Sequence, residues 1–209
     1  RRSSDLVIEE VFRFYRGISS RNETGRYDIY HEHARGQDEA SSTGGRLKNL
    51  LCCQYSAEYV ARAYVQAAQI VDQGRPGLLS VAKDIVANGY DKSGLLREEG
   101  FYRTYEGDDR PIGSQKHPVQ LNPIAFVPMP DHVEAGSPAE VAWRRRYDLM
   151  AVARWPQTQG WTFGEYTLAS ARMRSPEELE RDLRLVQPAW SADPRWIQFY
   201  EYSWPQGWH

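Results

Sequence analysis

Residues 27–41 read YDIYHEHARGQDEAS and gather two histidines, His31 and His33, with four carboxylates, Asp28, Glu32, Asp38 and Glu39, without the apolar period of a core element. Two chemistries are open to such a set. Imidazoles and carboxylates bind metal ions, and on an extended strand His31 and His33 point the same way with Asp38 and Glu39 nearby. A metal site takes three or four ligands in a fixed geometry, so two imidazoles at this spacing fall short, and neither a metal nor another cofactor is expected. The other chemistry is proton transfer. In the GQDE turn, Gly36 bends the chain and Asp38 and Glu39 follow at the mouth of the next helix. A carboxylate there either serves a reaction or only complements the helix dipole.

Further groups of suitable type are spread along the chain. His117 and Gln120 stand in KHPVQLNPIAFVPMP, residues 116–130, where His117 could equally cap a helix beside Pro118. Trp155, Trp161 and Phe163 precede Glu165 in WPQTQGWTFGEYTLASARMRSPEEL, residues 155–179. Asp108 and Asp109 lie in YEGDDRP and Glu201 in FYEYS. The seven tryptophans, thirteen tyrosines and six phenylalanines are a heavy aromatic load. Aromatic rings fill cores, but they also stack on the apolar faces of sugar rings while their polar tips bond hydroxyls. Paired carboxylates with aromatic platforms fit glycosidic bond cleavage: an inverting enzyme needs one carboxylic acid and one carboxylate about 6.5–9.5 Å apart, and a retaining one brings them closer.

The elements that must position these groups read as helices joined by long polar loops. Leu6, Ile8, Val11, Phe12 and Tyr15 form a helical stripe over residues 5–16, with Ser4 as its expected N-cap. Tyr59, Val60, Ala63, Tyr64, Ala67 and Ile70 predict a helix over residues 56–71 that starts as early as Leu47, and its small residues suit close packing. A helix over residues 78–88 stops at Gly89, expected in the left-handed conformation. Residues 90–116 are irregular and too long for a simple connector. Short apolar residues 118–127, then residues 138–152 with Ser137 as cap and Pro138 at the first position, continue the helical pattern. So do residues 164–173, a helix opened by Ser175, Pro176, Glu177 and Glu178, and a segment near residues 194–202. No series of alternating strands and no glycine-rich phosphate loop is evident. The fold class expected is all-α.

Composition narrows the partners. With 26 basic and 28 acidic residues the 209-residue chain carries a net charge of −2, and its basic residues gather on no one segment, so no nucleic acid partner is expected. No apolar run reaches the roughly 18–20 residues of a membrane span, and the mean hydropathy is −0.69, so no membrane role is expected either. The length suits one domain, residues 1–209. Cys52 and Cys53 are adjacent and give no disulfide framework; small buried packing residues are their expected role. Asn22, Glu23 and Thr24 form a glycosylation acceptor pattern that permits secretion, and a secreted or extracellular location is slightly favoured. The opening RRSSDLVIEEVFRFY enters a helical pattern with no signal segment, which suggests a trimmed start and a missing N-terminal segment of the same protein.

Tyr27, the GQDE turn, and Gly45 and Asn49 leading into a long small-residue helix resemble the G-P-D-E-Y segment and asparagine-bearing helix of the family 65 glycoside hydrolases and phosphorylases. That family's general acid is the glutamate of the motif, which the resemblance places on Glu39; Gln37 replaces the family's proline and Ala40 its aromatic. Residues 116–130 resemble a loop that enters an inner helix in six-hairpin glycosidases, the (α/α)6 barrels. Family 65 has a Lys-Gln-Ala-Asp segment there and family 95 fucosidases a histidine-rich stretch ending near a proline. The resemblance puts His117 and Gln120 in the sugar pocket. Residues 155–179 look like the late helical hairpin of the same superfamily, which implies a sugar platform from Trp155 and Trp161 and a site carboxylate at Glu165. Family 95 places an activated aspartate before its histidines, here Asp109.

On this resemblance the chain is a C-terminal portion of an (α/α)6 toroid, since a closed barrel takes twelve helices and the chain shows about seven or eight. The implied activity is inverting hydrolysis of an oligo- or polysaccharide, with Glu39 as acid, Glu165 or Asp109 as base, and Tyr30 and His33 among the sugar contacts. Two other classes compete. A polysaccharide lyase on a similar toroid would use His117 with Tyr30 or Tyr102 to abstract a proton beside a uronate. A noncatalytic carbohydrate-binding module would keep the aromatic platform and lose nothing with Glu39.

Overall fold

A computed structural model of the chain describes residues 2–31, 47–72, 74–115, 117–129, 132–149 and 160–190. Helix dominates, about 60% against 8% strand, which bears out the all-α expectation at the level of class. The chain divides into two compact units.

The first unit holds α1 (Arg2–Gly17), strands β1 (Ser19–Arg21), β2 (Tyr27–His31) and β3 (Leu47–Lys48), α2 (Leu51–Val71), α3 (Pro76–Asn88) and the segment Thr104–Gly107. α1 begins ahead of Ser4, so the expected cap stands inside the helix. Its stripe of Ile8, Phe12 and Tyr15 joins the core around Ala57, Ala61 and Tyr64 of α2, with the Phe12 and Tyr64 rings stacked at 5.4 Å. Alanines at 57, 61 and 68 are buried, and they let α2 lie close to its neighbours, as the small-residue pattern implies. α1 ends where Ser19 Oγ donates to the Tyr15 carbonyl at 2.7 Å, satisfying one of the last-turn acceptors.

The three strands are a departure from the sequence expectation. They form one antiparallel sheet in the order β1-β2-β3, with Ser20 opposite Asp28 and Tyr30 opposite Lys48. Strands of three, five and two residues hold too few repeats to register as alternation. β3 also explains why α2 starts at Leu51 and not at Leu47. α3 opens on Pro76 at its first position and closes at Gly89, whose φ of 67° and ψ of −176° differ from the left-handed stop expected and belong to glycine alone.

The second unit holds residues 96–103 and the described residues from Asp108 onward. A 3-10 turn, Val119–Leu121, runs into α4 (Asn122–Ala125), followed by α5 (Pro138–Arg144), α6 (Arg146–Leu149), α7 (Gly160–Arg172) and α8 (Pro176–Trp190). Ser137 caps α5 as expected, its hydroxyl accepting from the Glu140 N–H at 3.2 Å. The single helix expected over residues 138–152 is instead broken at Arg145, where φ and ψ are −102° and 15°. The core between these helices contains Phe101, Leu121, Ile124, Trp143, Phe163 and Tyr166.

Arg146, directly after that break, is 1% exposed and ties the helices together. Its guanidinium donates to Asp182 Oδ1 at 2.9 Å, to the Trp143 carbonyl at 3.0 Å and to Tyr147 Oη at 2.9 Å, and it pairs with Glu178. Asp182 accepts further bonds from the Tyr147 hydroxyl and, at 2.5 Å, from Ser170 Oγ, which itself accepts from Trp143 Nε1. Burial works against the charge on Arg146, but Glu178 and Asp182 outweigh it and keep its pKa above the ordinary value. Removing one member of such a pair leaves the other charge stranded in the core. Asp182→Ala is therefore expected to cost about 3–5 kcal/mol in urea unfolding; a loss below about 1 kcal/mol contradicts this role for the pair.

Candidate functional site

In the first unit, His31 of β2 and Leu47 of β3 are direct partners, so the described residues that flank residues 32–46, the segment that includes His33 and Glu39, are adjacent. Those residues lie outside the described ones, but the groups at their root are defined. Residues two apart on a strand share a face, and so do residues directly opposite across a ladder. Asp28, Tyr30 and Lys48 therefore share one face of the sheet beside that root.

Asn49 fixes this corner. It adopts φ 55°, in the left-handed region that asparagine tolerates better than most residues. Its N–H donates to the Ile29 carbonyl at 2.8 Å, and its side-chain Oδ1 accepts from the Ile29 N–H at 3.0 Å. One residue thus closes both ladder bonds of Ile29 and turns the chain into α2. Its Nδ2 then donates to two carboxylates, Asp28 Oδ1 at 3.0 Å and Glu106 Oε2 at 2.8 Å. The two acceptor oxygens consequently lie within about 6 Å of each other.

Lys48 offsets part of the charge of the pair. Its ammonium is 3.2 Å from both oxygens of Glu106 and 3.5 Å from Asp28 Oδ2. Burial opposes its charge, yet the bond to Glu106 and the fields of Asp28, Glu106 and Tyr30 together raise its pKa. Glu106 is placed by its own N–H, which donates to the Lys48 carbonyl at 3.2 Å, and by Gly94, where a Cβ would come within 3.2 Å of Glu106 Cγ. Asp28 is nearly buried, whereas the Lys48 and Glu106 side chains are 39% and 36% exposed. Lys48 and Glu106 thus keep access to solvent.

A second layer supports it. Asn22 Nδ2 donates to Asp91 Oδ2 at 3.0 Å and to Asp28 Oδ1 at 3.4 Å, while its Oδ1 accepts from the Thr24 N–H and hydroxyl. The glycosylation-pattern asparagine is thus engaged at both ends of its carboxamide. Asp91 accepts from Ser93 Oγ at 2.6 Å and from the Ser93 N–H at 3.0 Å, and these donors lower its pKa. Glu58, on α2, accepts from the Tyr90 N–H and pairs with Lys92.

No family model, no curated protein and no solved structure matches this chain. What the site can do therefore follows from its side chains: Lys48, Glu106 and Tyr30, partly exposed and able to bond hydroxyls, around the buried Asp28 and Asn49.

The sequence candidates fall in different places. Tyr30 belongs to the corner just described. Glu39, His33, Trp155 and Glu201 lie outside the described residues, as does the side chain of Trp161, whose backbone is in the first turn of α7. In the second unit Glu165 is wholly enclosed, accepting from Asn122 Nδ2 at 2.8 Å, and it adds to the burial that holds the Tyr166 pKa well above its usual value. Asp109 extends into solvent with its side chain 94% exposed and Arg103 3.7 Å away, while its neighbour Asp108 is buried against Arg110 at 2.8 Å. His117 and Gln120 are both buried. Gln120 donates to the Tyr102 carbonyl at 2.9 Å and exchanges bonds with Gln115, which also donates to the His117 carbonyl.

Among the described residues no group of three or more histidine, cysteine, aspartate or glutamate side chains is arranged to hold a metal ion, and no helix is long and apolar enough to cross a membrane. Sequence reasoning named Asp28 and Asn49 without giving either a place in the site, and it passed over Lys48 and Glu106. A signal existed in YDIYH, whose period of two sets Asp28 beside Tyr30, but nothing local connects them to Glu106.

Two measurements test this corner. Asn49→Gly keeps the backbone conformation and loses the side-chain bonds, whereas Asn49→Ala loses both; the alanine variant is expected to be less stable than the glycine one by about 1–2 kcal/mol in urea unfolding. Equal stabilities would show that the positive φ imposes no demand. Asp91 has a lowered folded pKa, so its stabilising share is present above the unfolded value of 3.8 and lost as pH falls below it. The stability gap between the native chain and Asp91→Asn should therefore shrink on acidification from pH 6 to about pH 3. A gap that widens contradicts the assignment.

Proposed function

We propose that this chain is the helical-hairpin catalytic region, of the (α/α)6 toroid type, of a glycoside hydrolase that cleaves O-glycosidic bonds of an oligo- or polysaccharide. Glu39 is the proton donor in this reading. The observation that supports it is the corner at the root of residues 32–46, where Asn49 and Lys48 hold Asp28 and Glu106 on a half-exposed face beside Tyr30. Consecutive helices packed as pairs, α2 with α3 and α7 with α8, are consistent with the toroid.

The chemistry divides among named groups. Glu39 protonates the departing oxygen as the glycosidic bond lengthens, and a carboxylate on the far side of the sugar takes a proton from the attacking water. Glu106, the more exposed of the two carboxylates at the corner, is assigned that second role in preference to the enclosed Glu165 and the solvent-directed Asp109. Asp28 and Glu106, within about 6 Å of one another, are too close to be the acid and base of an inverting pair themselves, which needs about 6.5–9.5 Å. Lys48 and Tyr30 supply donors to sugar hydroxyls, while Asn49, spent on the two carboxylates, positions them.

The test is turnover on a panel of aryl glycosides and oligosaccharides, following reducing ends and anomeric configuration. Glu39→Gln is expected to lower kcat by about 10²–10⁴-fold and remove the alkaline limb of the pH profile, and Glu106→Gln to remove the acid limb. Undiminished turnover in Glu39→Gln excludes it as the acid. An unsaturated product absorbing in the ultraviolet would instead establish a lyase.

A further inference from the structure

Residues 96–103 of the second unit fold back on themselves. Leu96 pairs with Tyr102 in an antiparallel bridge, the Arg97 N–H donates to the Phe101 carbonyl at 2.9 Å, and Gly100, at φ 87°, donates its N–H to the Arg97 carbonyl at 3.0 Å. Arg97 stands where this turn begins and Arg103 just after its returning arm. Both reach one short piece of chain, residues 108–110. Arg103 Nη1 donates to the Asp108 carbonyl at 2.8 Å and Arg97 Nη1 to the Arg110 carbonyl at 3.5 Å. That piece is locked from within. Asp108, 3% exposed, accepts from the Arg110 N–H at 3.2 Å and from Arg110 Nε and Nη2 at 2.8 Å each, a bidentate ion pair.

Arg110 is therefore spent on Asp108, but Arg97 and Arg103 are not spent on anything comparable. A guanidinium carries five N–H donors in a planar fork. Arg97 has Glu99 at 3.4 Å and the Arg110 carbonyl at 3.5 Å, both at the long limit of a hydrogen bond. Arg103 has one bond of ordinary length, and its ion-pair partner Asp109 stands 3.7 Å off on a side chain directed into solvent. Yet the two arginine side chains are only 18% and 28% exposed. Enclosed cations normally have their donors matched by acceptors, and among the described residues most N–H groups of this pair meet none. Charge points the same way. Arg97, Arg103 and Arg110 face Asp108 and Glu99, three positive charges against two negative, and Asp109 meets the remaining one from solvent. Arg145, stacked on Phe101, is paired with Asp148.

We propose that Arg97 and Arg103, seated on residues 108–110, form a binding site for an oxyanion: a carboxylate, sulfate or phosphate group. The planar forks suit such a group, since each can offer two parallel N–H bonds to its oxygens. Asp109 is the internal stand-in for the ligand, a carboxylate held loosely enough to give way to one that binds at shorter range. The assignment is independent of the roles given to Glu39 and Glu106.

The test is calorimetric titration of the full chain at low ionic strength with inorganic phosphate, inorganic sulfate and trigalacturonate, and with the methyl ester of trigalacturonate as the neutral counterpart. At least one oxyanion probe is expected to bind saturably, and the ester not to bind. Arg97→Gln and Arg103→Gln should each weaken that probe about tenfold. Arg184→Gln, which removes an exposed arginine of α8, should leave it unchanged. Asp109→Asn should tighten it about two- to fivefold, and this variant alters a side chain that packs against no core. Either order among the probes supports the site: trigalacturonate ahead identifies a sugar-borne carboxylate, phosphate or sulfate ahead a free ion. No saturable binding of any probe up to about 50 mM overturns it. So does equal binding of the ester, unchanged binding in both arginine variants, an equal loss in Arg184→Gln, or an Asp109→Asn chain that binds no more tightly than the native one.

Discussion

The first unit depends on what happens at Asn49. A chain that must leave a two-residue strand and enter a long helix at once loses its ladder partners at the turn. Asn49 supplies them from its own side chain, giving Ile29 both an acceptor and a donor while its backbone sits at positive φ. The same carboxamide has two N–H groups left, and these go to Asp28 and Glu106. Backbone geometry and carboxylate placement are therefore one constraint. Lys48 and Asn22 extend it, and the Asp91–Ser93 turn carries it toward the end of α3.

The second unit handles polar groups in the opposite way. Arg146, Asp182 and Ser170 are enclosed and bonded to one another, a closed network whose partners exclude water. Gln120 is likewise spent on Gln115 and the Tyr102 carbonyl. Fully bonded, buried polar groups specify how helices dock, because any other packing leaves a charge or amide unpaired. The half-exposed Glu106 and Lys48 are the contrast, since a group that keeps a face to solvent can exchange water for a ligand. The carboxylates that the sequence offers by type thus separate by environment.

Much of the helical plan is legible from local chemistry. Ser137 with Pro138 starts α5, Pro176 with Glu177 and Glu178 starts α8, and the apolar stripe of α1 faces the core where its period places it. Each of these depends on residues within a few positions of one another. The sheet was not legible because its strands are shorter than the repeat that would announce them. The break at Arg145 was hidden because residues on both sides are good helix formers; the reason for the break lies across the unit, where Asp182 and Glu178 draw Arg146 inward.

The sequence by itself determined the class, the starts of α5 and α8 and the inventory of groups able to transfer protons, since these follow from residue type and spacing within one or two turns. Only the tertiary structure decided which polar groups meet: Glu106 reaches Lys48 and Asn49 across some fifty-seven positions of chain, Glu165 is sealed behind Asn122, and Asp109 faces water. A side chain's chemistry is set by its type, but its access and its partners are set by burial and by long-range contacts that no local pattern encodes.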